Sequence, residues 1–134
     1  MPRLILHDLP GAKRAGELAL LVQELFRRGR RVVVWVADDG RRAILDDYLW
    51  SFDRHAFVPH VSWDPDHTAA DLEQERVVLV GEPANPIGAD VLVIGDSLPP
   101  GQWLEGFEEV HDLLPPGDAG EQRRRGWREL GLEP

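Results

Sequence analysis

The sequence predicts a single three-layer α/β domain, a mainly parallel or mixed β-sheet with helices on its faces. Three observations lead there. Residues 31–36, 77–80 and 91–94 are short runs of β-branched and aliphatic residues, apolar without alternation. Strands covered on both faces read that way. An earlier apolar run, a segment with helical periodicity and the first of these strands follow one another within about forty residues. That is a βαβ unit, whose crossover is right-handed in nearly all sheets. Finally, 134 residues, 43% hydrophobic and 29% charged, suit one soluble domain with a sizeable core.

Residues 3–7 form the first strand, and Asp8, Leu9, Pro10 and Gly11 a turn. Over 15–28, Leu18, Leu21, Val22, Leu25 and Phe26 share one helical face, and Gly29 is a natural stop. The strand at 31–36 is expected at the centre of the sheet. Asp38, Asp39 and Gly40 open a second helix through Trp50, with Ile44, Leu45, Tyr48 and Leu49 facing inward. Residues 52–60 read as irregular, with an extended piece at Phe57 and Val58, and the polar stretch 62–74 as a surface loop or short helix. The loop between the strands at 77–80 and 91–94 is too short for a crossover helix. Those strands are therefore expected to pair antiparallel or to flank another strand. Pro99, Pro100 and Gly101 begin a short helix containing Trp103 and Leu104. A strand at 108–114, a Pro-Gly turn and a last helix close the chain. Without an internal repeat, linker or low-complexity segment, residues 1–134 read as one domain.

Composition narrows the function classes. The chain has no cysteine, which removes disulfides, thiol catalysis and cysteine-ligated zinc. No apolar run approaches the roughly 20 residues of a membrane span. Leu4, Ile5 and Leu6 are interrupted by His7 and Asp8, so no signal peptide is read and the cytoplasm is expected. A net charge of −9 argues against a direct nucleic-acid footprint. The first strand-to-helix turn has a single glycine and no phosphate-binding motif, so Lys13 and Arg14 read as surface charge. His55, His60, Asp64 and His67 match no zinc spacing, and Ser51, Ser62 and Ser97 sit in no nucleophile elbow. Neither a cofactor, a metal nor a catalytic residue is expected.

The last helix stands apart from this acidic background. Arg123, Arg124, Arg125 and Arg128 surround Trp127. Residues three and four apart share a helix face, so Arg124, Trp127 and Arg128 form one triangle. Two guanidinium groups around an indole suit a ligand with carboxylates beside an apolar side chain. The plainer reading is a solvated basic helix end with Trp127 packed inward.

Two blocks carry a resemblance. Leu45-Asp46-Asp47-Tyr48-Leu49-Trp50 precedes Phe57-Val58-Pro59-His60, a pattern Leu-Asp-x-x-Leu-Trp, gap, Phe-x-Pro-His. Near the end, Phe107-x-Glu-Val-x-Asp-Leu-Leu-Pro leads into Arg124-x-x-Trp127-Arg128. Both resemble the chi subunit family of bacterial DNA polymerase III, and the element order resembles it over most of the chain. The resemblance implies a Rossmann-like domain and a non-catalytic clamp-loader accessory. Such a protein links the replicase to single-stranded DNA-binding protein by holding its acidic C-terminal tail, which ends in phenylalanine. By position, Arg124 and Arg128 would grip tail carboxylates, and Trp127 and Leu114 would wall the pocket for the phenylalanine. Trp50 and Phe57 fall where the family docks its psi subunit. Trp127 stands where tyrosine is more usual. The competing reading is a nucleotide- or small-molecule-binding enzyme using the loops after the strands at 77–80 and 91–94. A third, a nucleic-acid module acting through the arginine helix, is opposed by the net charge.

Overall fold

Six strands, all parallel, build the sheet of the computed structural model, which describes residues 1–9, 13–51 and 58–134. In chain order the elements are β1 (Arg3–Asp8), α1 (Arg14–Arg27), β2 (Val32–Trp35), α2 (Asp39–Ser51), β3 (Val61–Ser62), α3 (Ala69–Leu72), β4 (Val77–Val80), β5 (Val91–Ile94), α4 (Gly101–Leu104), β6 (Glu109–Leu114) and α5 (Asp118–Glu129). The strand order is β1-β6-β5-β2-β4-β3. The unbroken apolar run of β2 thus lies between β5 and β4, and all four of its residues are buried.

Successive side chains of a strand point to opposite faces, and the core divides accordingly. Val32, Val34, Val77, Leu79, Val91 and Val93 pack with Leu18, Val22 and Leu25 of α1 and Leu45 and Leu49 of α2. Val33, Trp35, Val78, Val80, Leu92 and Ile94 pack on the other side with Leu72 of α3, Leu104 of α4 and Trp127 of α5. These are the three expected layers.

β4 and β5 flank β2 in parallel; Val32 lies opposite both Val77 and Val91. The connection between them holds no helix. Asn85 ties it into a compact turn, its Oδ1 accepting from the Ala89 amide at 2.7 Å and its Nδ2 donating to the Ala89 carbonyl at 3.0 Å. Ile87 and Ala89 are buried against the sheet, so this loop covers apolar surface that a helix would otherwise cover.

Two pieces differ from the sequence expectation. Val61 and Ser62 add an edge strand beside β4, where the sequence predicts no strand. Two residues are too few to show periodicity. The expected extended piece falls partly on Phe57, which lies outside the described residues; Val58 is buried but in no strand. The polar stretch does contain a short helix, α3, with a capping box: Thr68 Oγ1 accepts from the Asp71 amide and Asp71 Oδ2 from the Thr68 amide. No described helix is long and apolar enough to cross a membrane.

Candidate functional site

The C-terminal site is built on one buried carboxylate. β6 carries Asp112 on the face that meets α5, and its side chain is fully buried. Such a charge survives burial only when paired and hydrogen-bonded. Arg123 of α5 grips both oxygens, Nε to Oδ2 at 2.7 Å and Nη2 to Oδ1 at 2.9 Å. Arg14 Nη2 donates to Oδ1 at 3.1 Å, and the Trp127 indole Nε1 donates to Oδ2 at 2.7 Å. The same Arg14 guanidinium donates to the carbonyls of Leu113, Gly95 and Ile94. Arg14 is therefore no surface charge. It joins the carboxyl ends of β5 and β6, a correction that sequence could not supply because its partners lie about a hundred positions away.

Once Arg123 and Trp127 turn inward, Arg124 and Arg128 are left on the outer side of α5. They line a cleft of about 280 Å³ together with Leu4, Leu6, Trp127, Leu132, Glu133 and Pro134. Among the described residues no hydrogen bond or ion pair engages either guanidinium. The helix end shapes the far wall. Gly131, at φ +83°, donates its amide to the Arg128 carbonyl, and the Leu132 amide donates to that of Trp127. This Schellman arrangement folds Leu132 back beside the indole. Leu4 and Leu6 come from β1, at the opposite end of the chain.

The triangle read from helical spacing is present but differently disposed. Arg124 and Arg128 face the cleft, while Trp127, 1% exposed, is a core residue that meets the cleft only at its floor. The indole packed inward, as the plainer reading held, because its N–H has a buried acceptor on β6. Leu114 is buried at the end of β6, opposite Asp8, and does not line the cleft. Leu4, Leu6 and Leu132 supply the apolar lining instead. Asp112, a charge between Val110 and Leu114 on one face of a strand, is the sequence signal for this arrangement.

The first block of the resemblance acquires a physical meaning. His60, buried, hydrogen-bonds Asp46 Oδ1 of α2 through Nε2 at 2.8 Å and the Val58 carbonyl through Nδ1 at 2.7 Å. The Trp50 ring lies 4.2 Å, centroid to centroid, from that imidazole. The Asp and Trp of the pattern thus clasp His60 onto α2, with Val58 packed in the same core cluster as Leu45 and Leu49. Trp50 is 48% exposed; Phe57 lies outside the described residues. His60 is engaged by Asp46 rather than by Asp64 or His67.

A second cleft, also about 280 Å³, opens where α/β sheets hold small ligands, at the carboxyl ends of β2 and β5. Arg14, Leu18, Val36, Arg41, Ile44 and Gly95 line it. The Asp96 carboxylate accepts from the backbone amides of Ala37 and Asp38, both at 2.9 Å. The protein's own carboxylates thus occupy the amides of the turn into α2, and Asp38 Oδ2 accepts from the Arg41 amide in the first turn of that helix.

On the edge of the sheet, His7 Nε2 and His111 Nδ1 are 2.9 Å apart, and His111 Nε2 is 3.0 Å from Glu109 Oε1. Burial pushes both imidazoles below the usual histidine range. Burial pushes the Glu109 carboxyl up, but hydrogen bonds from His111 and Arg30 outweigh it and the net shift is downward. An ionised Glu109 can only accept, so His111 Nε2–H donates to it and the neutral His111 Nδ1 accepts from His7 Nε2–H.

A family model described as DNA polymerase III chi subunit, HolC, matches residues 1–132. The chain is also 28% identical over 117 residues to the DNA polymerase III subunit chi of Pseudomonas aeruginosa, an alignment covering 85% of this chain and 78% of that protein.

Proposed function

The chain belongs to the DNA polymerase III chi subunit family, and on that basis we propose that it is a non-catalytic adaptor linking the clamp loader and replicase to single-stranded DNA-binding protein. Membership makes it a replication accessory; the mode of attachment is our reading. The cleft under α5 takes the acidic C-terminal tail of the single-stranded DNA-binding protein. Arg124 and Arg128 pair with its carboxylates, and Leu4, Leu6 and Leu132 enclose the terminal phenylalanine over the Trp127 floor. Leu114 acts from behind, in the core. The observation that carries this reading is a pair of guanidinium groups without a partner among the described residues, beside a recess lined in part by Leu4, Leu6 and Leu132, on an acidic protein. Charge-assisted hydrogen bonds of this kind contribute roughly 1.5–3 kcal/mol each.

The exposed part of Trp50, with Phe57, is the proposed docking site for a psi subunit or an equivalent clamp-loader component. An indole half in solvent and packed against a hydrogen-bonded imidazole suits an interface anchor. We place the protein in the cytoplasm, where the replicase works. Size-exclusion chromatography with the organism's own single-stranded DNA-binding protein tests the main claim. Co-elution is expected with the intact partner and not after its acidic tail is deleted. No complex with the intact partner, or a complex that survives the deletion, would overturn the proposal.

A further inference from the structure

We infer that Asp112 is the positioning residue of the tail cleft: by holding the Trp127 indole N–H and the Arg123 guanidinium, it decides which groups of α5 the ligand meets. The inference rests on the proposed tail-binding role of that cleft.

α5 offers four arginines and a tryptophan, and only two of the arginines line the cleft. Arg123 is held back by a single buried anion. Asp112 takes two bonds from Arg123 and one from Trp127, both on α5, and one from Arg14 at the start of α1. Arg123 and Trp127 are four apart and share a helix face. Fixing both therefore fixes the rotation of α5 about its axis, and the neighbouring Arg124 and Arg128 must face outward. The bond also consumes the only polar group of the indole. A ligand then finds an apolar floor rather than a hydrogen-bond donor there, which favours a phenyl ring over a polar terminal side chain. The two positive charges that balance Asp112 are the ones withheld from the ligand. Asp112 touches no ligand itself; it acts through Trp127.

The test uses the full chain and a synthetic acidic peptide ending in Asp, two apolar residues and Phe. The protein has five tryptophans, so the ¹⁵N spectrum of the labelled protein carries five indole N–H signals, and Trp127→Phe identifies the one in question. That signal should exchange slowly with solvent and stay protected when peptide is bound, because its hydrogen remains with Asp112. Asp112→Asn should weaken the peptide about tenfold in the wild-type background, and by clearly less in the Trp127→Phe background, where only the hold on Arg123 is left to lose. A role confined to stability would leave the Kd of the folded variant unchanged in both. Equal loss in both backgrounds, or unchanged affinity of folded Asp112→Asn, would overturn the inference while leaving the tail site standing. If Asp112→Asn does not fold, the wild-type signal decides: fast exchange, or loss of protection on peptide binding, overturns the inference. If the wild type binds no peptide, the tail-binding reading fails, and this inference with it.

Discussion

Arg128 and Glu133 face one cleft with opposite charges, and that makes the residue scale the most direct place to test binding. Arg128→Ala removes a charge-assisted contact. With surface screening taking the lower end of the 1.5–3 kcal/mol range, peptide affinity should fall about tenfold. The salt dependence of binding, followed by calorimetry, should become shallower. Glu133→Gln should do the opposite. Removing a like charge from the rim is worth roughly 0.2–1 kcal/mol, so the acidic peptide should bind about 1.4- to fivefold more tightly at low salt. Unchanged affinity in both variants would mean that the peptide sits elsewhere. The two outward arginines could be read from i, i+3 and i+4 spacing alone. The inward tryptophan could not, because its hydrogen-bond acceptor is on another element, 15 positions earlier. Nor could Leu4 and Leu6 be assigned, since nothing local ties a first strand to a last helix.

At the scale of elements, helices and the long apolar strands were legible because their signals are local: periodicity, stops and unbroken β-branched runs. Chain length limited the rest. The two-residue β3 and the helix-free turn at Asn85 carry too little pattern. The glycines of α5, unfavourable by propensity, become intelligible only in place. A Cβ at Gly120 would stand 2.2 Å from the Pro115 carbonyl oxygen, so the helix start presses directly on the preceding turn. Gly131 must adopt positive φ to bring Leu132 back to the cleft. Gly131→Ala should therefore lower stability by about 1–2 kcal/mol in urea denaturation, and weaken peptide binding because Leu132 shifts. The Asp46–His60 clasp offers a parallel test on the other block. Asp46→Ala leaves a buried imidazole nitrogen unpaired, which costs about 1–3 kcal/mol. It should also change Trp50 exposure, measurable by fluorescence quenching against a Trp50→Phe control. Stability and quenching identical to wild type would contradict the clasp.

The whole molecule is tied together across its outer strand pair, and its acid stability should show it. His7 and His111 have lowered pKa values in the folded state, so the unfolded chain binds more protons once pH drops below their ordinary 6.5. Stability from these groups is complete above that value and is lost as pH falls from 6.5 toward the lowered folded values. Glu109, lowered from 4.5, adds loss below that pH. Urea midpoints should decline below neutrality, and His111→Gln should flatten the upper part of the decline. A flat profile through the histidine range would contradict the neutral pair. Fold class, layers and the central strand could all be inferred from sequence, since buried parallel strands declare themselves. Strand order and the pairing of β1 with β6 could not, because they depend on contacts about a hundred residues apart.

In the proposed function the α5 cleft captures a free chain terminus through Arg124 and Arg128. Calorimetric titration with the acidic peptide as free acid and as C-terminal amide tests it most directly. The free acid should bind about tenfold more tightly than the amide, and Arg128→Ala should narrow this gap. Equal affinity for acid and amide, with the wild type correctly folded, would contradict it.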